Sequence, residues 1–367
     1  MTDTQNAKRP GALIAMSGGV DSSIAAYLMR QADFRCMGTT MRLYRNEDLG
    51  ACNFRTCCSE KDIEDASEVA FQLDIPYEVL DFTLDFQEKI IGKFVRTYEA
   101  GGTPNPCIDC NRFMKFDKLL DFAEQHGLYY VVTGHYARIE QDEQTGRWLL
   151  KKGVDAGKDQ SYMLALLSQE QLARLVLPLG GTTKAEVRVL AADLGLPVAE
   201  KPESQDVCFI EGDYRAFLHA RGVDDRPGAI VDCAGAVLGR HDGLANYTVG
   251  QRKGIGVAAP EPYYVVAKRP ETCELVVGFA DEARISSVLT GPVRWQALAC
   301  LDGPRAASVK LRYRSRAVPC IIEPEPEGRV RAVLREPQPT TAPGQFAVFS
   351  VGDTVLGGGM IEEVASV

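Results

Sequence analysis

The sequence predicts an α/β protein: a doubly wound parallel sheet, then a small central domain, then a C-terminal β-barrel. Three features of the 367 residues predict it. First, an apolar run, Ala12-Leu13-Ile14-Ala15-Met16, meets a turn of small residues, Ser17-Gly18-Gly19-Val20-Asp21-Ser22-Ser23, and then a helical pattern from Ile24 to Gln31. Second, strand-like and helix-like segments alternate as far as Leu194, as crossover units of a parallel sheet require. Third, from about Val207 short β-like runs recur between glycines and prolines, as in a barrel. The expected boundaries are 1–206 for the α/β domain, 207–288 for the central domain and 289–367 for the barrel.

Each element has its own signal. The first strand is continuously apolar, so both its faces are expected to be buried. Ile24, Tyr27, Leu28 and Gln31 stand at helical spacing. Between them, Gly18 and Gly19 let a ligand approach the backbone closely. Ser22 or Asp21 can cap the helix. Strand, glycine turn and helix N-terminus together make an anion site. A second strand is expected over Arg35–Tyr44, and a polar loop over Asn46–Thr56. Ser59 opens a helix from Glu60 to about Leu73, with Asp62 completing a capping box. A third strand over Ile75–Asp81 precedes a helical pattern over Leu84–Tyr98. Gly101–Asn111 breaks all periodicity, and Pro104 and Pro106 make it read as stiff and non-helical. Helix is expected again over Met114–His126 and Thr183–Leu194, with a fourth strand over Tyr129–Thr133. Later strands are expected over 229–231, 247–249, 263–267, 274–277, 309–313, 319–322, 330–334, 345–350 and 354–356. Ligands of doubly wound sheets bind beyond the carboxyl ends of the strands. The turn at Ser17, the strand end near Met41 and Gly134-His135 all fall there.

The formal net charge of −9 argues against a protein that coats nucleic acid non-specifically, while leaving room for a local basic patch. The first eleven residues lack an apolar signal core, and no run of ~18 apolar residues marks a spanning helix. The 11 cysteines are odd in number and scattered, unlike a disulfide framework. A cytoplasmic chain without membrane attachment, its thiols reduced, is the expectation.

The turn lacks the lysine of a Walker loop: none lies between Arg9 and Lys61. It resembles instead the PP-loop of the N-type ATP pyrophosphatases, which hold the outer pyrophosphate and leave AMP on the substrate. A second informative stretch is Thr103-Pro104-Asn105-Pro106-Cys107-Ile108-Asp109-Cys110-Asn111. Cys107 and Cys110 stand three apart, so one turn can aim both sulfurs at one point. That suits metal or cluster ligation, a redox dithiol, or a nucleophile beside its partner. Cys208 lies in Lys201-Pro202-Glu203-Ser204-Gln205-Asp206-Val207-Cys208-Phe209-Ile210, at the expected domain boundary. Cys52, Cys57 and Cys58 read as loop cysteines, with a zinc site or a reach into the same pocket as alternatives.

Together these motifs resemble the tRNA-specific 2-thiouridylases. The resemblance runs in order through Ser17–Ser23, Thr103–Pro106, Cys110-Asn111, Thr133–Tyr136, Lys158–Ser161, Cys208–Ile210, Thr248–Arg252, Arg312–Arg314 and Pro343–Gln345, nearly the whole chain. It implies ATP-driven thiolation of the wobble uridine of certain tRNAs. The C2 oxygen is first adenylated, then replaced by sulfur. It implies that Ala15, Met16, Ser17, Gly18, Gly19, Val20, Asp21 and Ser22, with Mg²⁺, Met41 and Gly134, surround ATP. It implies that Cys208 receives a persulfide and that Cys110 frees the sulfur or closes a disulfide. Asn105, Pro106 and Cys107 would lie by a flipped base of the anticodon stem-loop, because C2 is hidden in the stack. His135, Lys158, Asp159, Gln160, Arg312, Tyr313 and Gln345 would touch tRNA. Lys310, Arg312, Arg314 and Arg316 would share one face of a strand.

One departure stands out. Several members of the family carry aspartate where this chain has Cys107. Thiolates of Cys107, Cys110 and Cys208 can hold three irons of a [4Fe–4S] cluster, leaving the fourth open to sulfide, and thiolates are preferred iron ligands. Asp109 standing in for the missing carboxylate would keep the persulfide relay. Either route needs a sulfur source; for the relay this is a persulfide donor such as a cysteine desulfurase or relay protein. The alternatives are another PP-loop tRNA thiolase, or a non-enzymatic ATP-binding sulfur carrier or iron–sulfur protein.

Overall fold

The computed structural model describes residues 9–45, 59–202, 207–210 and 212–367. The expected loop over Asn46–Thr56, with Cys52, Cys57 and Cys58, lies outside the described residues, as do 203–206. The chain divides into two compact units. One comprises 1–90, 107–211 and 353–355; the other comprises 91–106, 212–352 and 356–367.

The first unit is built on a parallel sheet. Its strands are β1 (Gly11–Ala15), β2 (Arg35–Arg42), β3 (Tyr77–Asp81), β4 (Tyr130–Val132) and, after an antiparallel hairpin of β5 (Ala137–Gln141) and β6 (Trp148–Lys152), β7 (Leu175–Val176). Their order is β3-β2-β1-β4-β7, every pairing parallel. From β1 the chain moves outward to β2 and β3, then returns to β4 on the other side. The topological switch point therefore lies between β1 and β4, where doubly wound sheets bind their ligands.

Among the described residues up to 193 the helices are α1 (Val20–Gln31), α2 (Glu60–Gln72), α3 (Thr83–Phe86), α4 (Gly92–Glu99), α5 (Pro106–Asp109), α6 (Leu119–Gln125), α7 (Gln169–Ala173) and α8 (Lys184–Asp193), and of these α4 belongs to the second unit. A π-helical stretch, Gln87–Ile91, joins α3 to α4, and another, Cys110–Lys118, joins α5 to α6. The buried face of α1 differs from the expected stripe. Ile24, Ala25, Ala26 and Met29 are buried, while Tyr27 and Leu28 are half-covered and Gln31 is exposed. The reason is that the core covers α1 on several sides, with Ala66 and Val69 of α2 and Val187 and Ala191 of α8 in the same cluster. Ser59 caps α2 with Asp62 closing the capping box, and Thr183 caps α8 with Glu186 in the same roles.

The second unit holds α9 (Tyr214–His219) and a four-stranded sheet of β8 (Gly228–Val231), β9 (Val237–His241), β10 (Tyr264–Arg269) and β11 (Glu274–Gly278), in the order β10-β11-β8-β9. Tyr247–Val249, expected as a strand, follows a 3₁₀ turn and pairs with no strand here. The C-terminal strands are β12 (Arg284–Thr290), β13 (Arg294–Trp295), β14 (Arg305–Lys310), β15 (Val318–Pro324), β16 (Val330–Pro339), β17 (Phe346–Val351) and β18 (Thr354–Ser366). They run β12-β16-β15-β14-β17-β18, and β18 pairs back onto β12, so the barrel closes. Val288, Val309, Ile322, Ala332, Phe349 and Ile361 fill it. No helix among the described residues is long and apolar enough to cross a membrane.

Candidate active site

The anion turn is shaped by its backbone. Gly18 has φ +67°, and a Cβ there would stand 2.2 Å from the Asp62 carbonyl oxygen. Both facts require glycine. The expected side-chain cap of α1 is absent: Gly19 is the N-cap, with no side-chain hydrogen bond to the helix end. Ser22 and Ser23 instead turn their hydroxyls back to the Gly19 carbonyl, each at 3.0 Å, and the Ser17 amide donates to Ser22 Oγ at 3.1 Å. The first-turn amides of α1 are thereby left for a ligand.

The edges of the turn are pinned from neighbouring strands. The Met16 amide donates to the Thr39 carbonyl at 2.8 Å, and the Thr40 hydroxyl donates to the Met16 carbonyl at 2.6 Å. On the other side, a Cβ on Gly134 would meet Asp21 and Ser22 backbone atoms at 2.8 and 2.9 Å, so the loop after β4 lies directly on the start of α1.

Two lysines that the sequence reading missed reach this turn from far along the chain. Lys184 Nζ lies 2.7 and 2.8 Å from the two Asp21 carboxylate oxygens, and the Tyr136 hydroxyl donates to the same carboxylate at 2.7 Å. Lys201 Nζ donates to the Gly18 carbonyl at 2.9 Å and to Asp62 at 2.6 Å, and also pairs with Asp65. A local signal existed for Lys184: it occupies the first turn of α8, where the helix dipole disfavours a cation. A residue placed against its own helix needs a partner elsewhere, and Asp21 is that partner.

Beside the turn lies a cavity of about 300 Å³. It is lined by Ala15, Met16, Ser17, Asp21, Ser22, Thr39, Thr40, Met41, Leu43, Lys115, Thr133, Gly134, His135 and Gln160. Of the residues expected around a nucleotide, Ala15, Met16, Ser17, Asp21, Ser22, Met41 and Gly134 meet here. His135 and Gln160, expected at tRNA, line the same space. His135 is buried, and its Nδ1 lies 2.7 Å from the Thr133 hydroxyl. Burial, with Lys115 adding repulsion, drives its pKa well below the ordinary histidine value, so the ring is neutral. Gln160 is locked by two backbone bonds to Tyr136. Asp159 holds its own loop, accepting from the Gly153 and Ser161 amides and the Ser161 hydroxyl.

The cysteines sit beyond this cavity's lining. Contrary to expectation, Cys107 and Cys110 are helical: α5 begins at Pro106 and runs on through the π-helical stretch. Proline is tolerated there because its missing N–H would have no partner in the first turn anyway. Cys110 is buried, and its neighbour Asn111 donates to the Met163 carbonyl at 3.2 Å. The same π-helical stretch delivers Lys115 to the cavity and Phe116 to the His135 ring, centroids 6.3 Å apart. Cys208 is half-buried in a turn closed by Ile210 N to Val207 O at 3.0 Å, and adjacent Phe209 packs edge-on against Phe86 at 5.5 Å. Asp85, beside Phe86, pairs with Lys118 of the Cys110 helix at 2.9 Å. Helix α3 thus packs against the elements that carry both thiols.

Among the described residues no three His, Cys, Asp or Glu side chains are placed to hold a metal ion, so Cys107, Cys110 and Cys208 as placed do not make the three-ligand set expected of a cluster.

In the second unit, the basic stretch 310–316 is not a strand face. Strand β14 ends at Lys310, and the following residues turn, with Arg312 N donating to Ser315 Oγ and Ser315 N to Arg312 O, each at 3.1 Å. Leu311, buried in the barrel core, anchors this turn. Arg312 faces inward, donating to the Val249 carbonyl at 2.9 Å and the Thr340 carbonyl at 3.3 Å. It borders a cavity of about 490 Å³ that Arg284 and Arg316 also line. Lys310 Nζ lies 5.4 Å from the centre of the Tyr313 ring. Gln345 is buried, and its amide nitrogen holds the Thr103 and Pro104 carbonyls at 2.9 and 3.2 Å.

Three family models cover the chain: "tRNA methyl transferase HUP domain" over residues 11–212, "tRNA methyl transferase PRC-barrel domain" over 215–279, and "Aminomethyltransferase beta-barrel domain" over 286–361. A tRNA-specific 2-thiouridylase MnmA of Geotalea uraniireducens is 47% identical over 367 residues, covering 99% of this chain and 97% of the relative. The chain belongs to the tRNA-specific 2-thiouridylase family. Two further thiouridylases are each 45% identical: that of Moorella thermoacetica covers 97% of this chain and 100% of its own, and that of Geobacter metallireducens 95% and 96%. As a member of the thiouridylase family, the chain places the PP-loop at the switch point of its sheet, with Asp21 the one carboxylate among the cavity's lining residues.

Proposed function

We propose that the protein replaces the C2 oxygen of the tRNA wobble uridine with sulfur at the expense of ATP. The observation that carries this reading is the cavity at the switch point, where a serine-glycine turn, the open end of α1 and a buried neutral histidine meet. The uracil C2 oxygen is a poor leaving group. In this reading it attacks the α-phosphorus, and pyrophosphate leaves into the Ser17–Ser22 turn, steadied by the α1 amides and by Lys184 and Lys201. Mg²⁺ suits Asp21 together with the phosphates themselves, since that ion takes few protein carboxylates and keeps waters. When bound it neutralises phosphate charge.

Sulfur then enters from a persulfide on Cys208, loaded by an external persulfide donor. Its outer sulfur attacks C2, AMP leaves, and a C2–S–S–Cys208 link forms. The Cys110 thiolate attacks the Cys208 sulfur, releasing 2-thiouridine and leaving a Cys110–Cys208 disulfide for an external thiol to reduce. Asn105 and Pro106, with carbonyls Thr103 and Pro104 held by Gln345, form the stretch against the flipped base. His135, Lys158, Gln160, Arg312 and Tyr313 complete the tRNA contacts in this reading.

The family model's methyltransferase description invites a second reading. A turn that presents backbone amides to an anion has no task in methyl transfer from a sulfonium donor, and it has an obvious one with pyrophosphate. The deciding experiment follows pyrophosphate and thiolated tRNA separately. Cys208→Ser is expected to abolish thiolation while sparing tRNA-dependent pyrophosphate release. Retained thiolation refutes the sulfur assignment, and pyrophosphate release independent of tRNA refutes the adenylation step.

A further inference from the structure

Lys268, on β10, is a cation that pairs with no carboxylate among the described residues. Its Nζ donates to the Gly102 carbonyl at 3.2 Å and to the Tyr247 carbonyl at 3.1 Å, and it lies 5.3 Å from the centre of the Tyr98 ring. The bond to Gly102 is one of a series. The Gly102 amide donates to the Thr97 carbonyl at 2.8 Å, and the Thr103 amide to the Pro343 carbonyl at 2.8 Å. The Gln345 amide nitrogen holds the next two carbonyls, Thr103 at 2.9 Å and Pro104 at 3.2 Å. Three consecutive carbonyls, 102 to 104, are therefore fixed by side chains from far along the chain, and Pro104 has no N–H to satisfy. Asn105 and Pro106 follow directly. All these residues belong to the second unit. An ammonium suits the task because charge-assisted bonds are about twice as strong as neutral ones, and the ring face attracts a cation further.

We propose that Lys268 is a positioning residue for the target base: by fixing the Gly102 carbonyl, its ammonium sets the path of the Thr103–Pro106 stretch that meets the flipped uridine. The inference rests on the reading that Asn105 and Pro106 face that base. It makes the base-handling step sensitive to alkali. Burial pushes the Lys268 pKa down to about 8. As pH rises through that value the proton leaves, both bonds become neutral, and the attraction to the Tyr98 face is lost. The titratable groups around the ammonium are Tyr98 of α4, Tyr214 of α9, which stacks on Tyr98 with ring centres 5.1 Å apart, and Tyr247. Burial raises the Tyr98 and Tyr247 phenols above the ordinary tyrosine value, so both stay neutral where the lysine titrates. On its own strand, neighbouring Arg269 is paired with Glu274 at 3.1 Å.

The test is single-turnover, tRNA-dependent pyrophosphate release at saturating ATP and tRNA, below the melting transition of every variant, with tRNA affinity measured by filter binding. Lys268→Met is expected to slow release about 10-fold while tRNA affinity stays within about 2-fold, because a misplaced base costs rate and leaves the phosphate contacts that carry affinity. Lys268→Arg stays charged at every working pH and is expected to release pyrophosphate within about 3-fold of wild type near pH 7. From about pH 7 to about pH 9.5 the ratio of the Lys268→Arg rate to the wild-type rate is expected to rise about 5-fold, less than the loss in Lys268→Met because the neutral amine still donates. ATP, uridine and every other titrating group are common to both proteins and cancel in the ratio. A lysine that served stability alone would leave the ratio flat, and the ratio decides the matter if Lys268→Met does not fold. Release by Lys268→Met within about 3-fold of wild type, or a flat ratio, overturns the inference. Asn105→Ala checks the base contact separately and is expected to slow release as well; unchanged release in that variant overturns the reading beneath.

Discussion

Replacing Lys184 with methionine tests whether a lysine from a distant helix does the work that a Walker loop assigns to a local one. Methionine keeps much of the apolar stem and deletes the charge. Two charge-assisted bonds to Asp21, at 2.7 and 2.8 Å, are lost. Such bonds are worth about 1.5–3 kcal/mol. The Lys184 side chain is only 9% exposed, but Asp21 is 31% exposed and keeps the Tyr136 hydroxyl, so water and that bond recover part of the loss. The low end applies, about 1.5 kcal/mol, or a melting shift on the order of 3–6 °C for the first unit. The effect on chemistry should be larger than that on stability. A preorganised donor removed from developing charge costs about 10²- to 10³-fold in rate. Single-turnover pyrophosphate release, at saturating ATP and tRNA, is therefore expected to slow about 100-fold, with tRNA affinity held within about 2-fold. Scanning fluorimetry and filter binding supply the controls. A slowing of less than about 3-fold, under 1 kcal/mol of barrier, would show that the ammonium serves Asp21 alone and that the phosphates find their cation elsewhere.

Other expectations follow from the same geometry. Gly18→Ala forces a Cβ to 2.2 Å from the Asp62 carbonyl at a positive φ, and should abolish ATP binding while leaving the barrel unit's melting transition in place; calorimetric titration with ATP checks it, and binding within about 3-fold of wild type, a difference of under 1 kcal/mol, would refute the close-approach argument. His135 is neutral when folded, with its pKa held well below 6.5, so the unfolded chain binds the extra proton first as pH falls. Stability should be flat above that value and drop below it, with a limiting slope of about 1.4 kcal/mol per pH unit from this one group. Urea unfolding from pH 7 down to pH 5 should show the drop, and His135→Gln should lessen it; an identical slope in the variant would place the titration elsewhere. Cys107→Asp should retain thiolation by protein purified without oxygen, measured as thiolated tRNA per chain, whereas joint loss of activity and bound iron would bring back the cluster that the thiol placement disfavours.

Much of the first unit was legible because its signals are local. The apolar run at Ala12, the capping box at Ser59, and the strand ends at Met41 and Gly134 each announce themselves within a few residues. What escaped was set at long range. Nothing near Ser17 says that Lys184 and Lys201 will arrive, because the sheet order that brings them there is a property of the whole chain. Residues 106–109 were misread for a different reason: proline marks a break when counted along a segment, but at the first helical position it is a start signal. The Lys310–Arg316 alternation fitted a strand equally well on paper. It became a turn because Leu311 enters the barrel core and Arg312 spends its guanidinium on two carbonyls.

That contrast bears on how this active site tolerates change. In a Walker loop, turn and cation share one short segment, so the phosphate site stands or falls locally. Here the turn supplies amides, hydroxyls and the Asp21 carboxylate but no cation, and the lysines that reach it come from α8 and from the stretch that follows it. Arg188 is not among the residues lining the cavity, yet it donates to the carbonyls of Ala199 and Lys201 and so helps to place the backbone that carries one of those cations. The anion turn and the lysines around it are consequently a product of tertiary packing, not of one short segment.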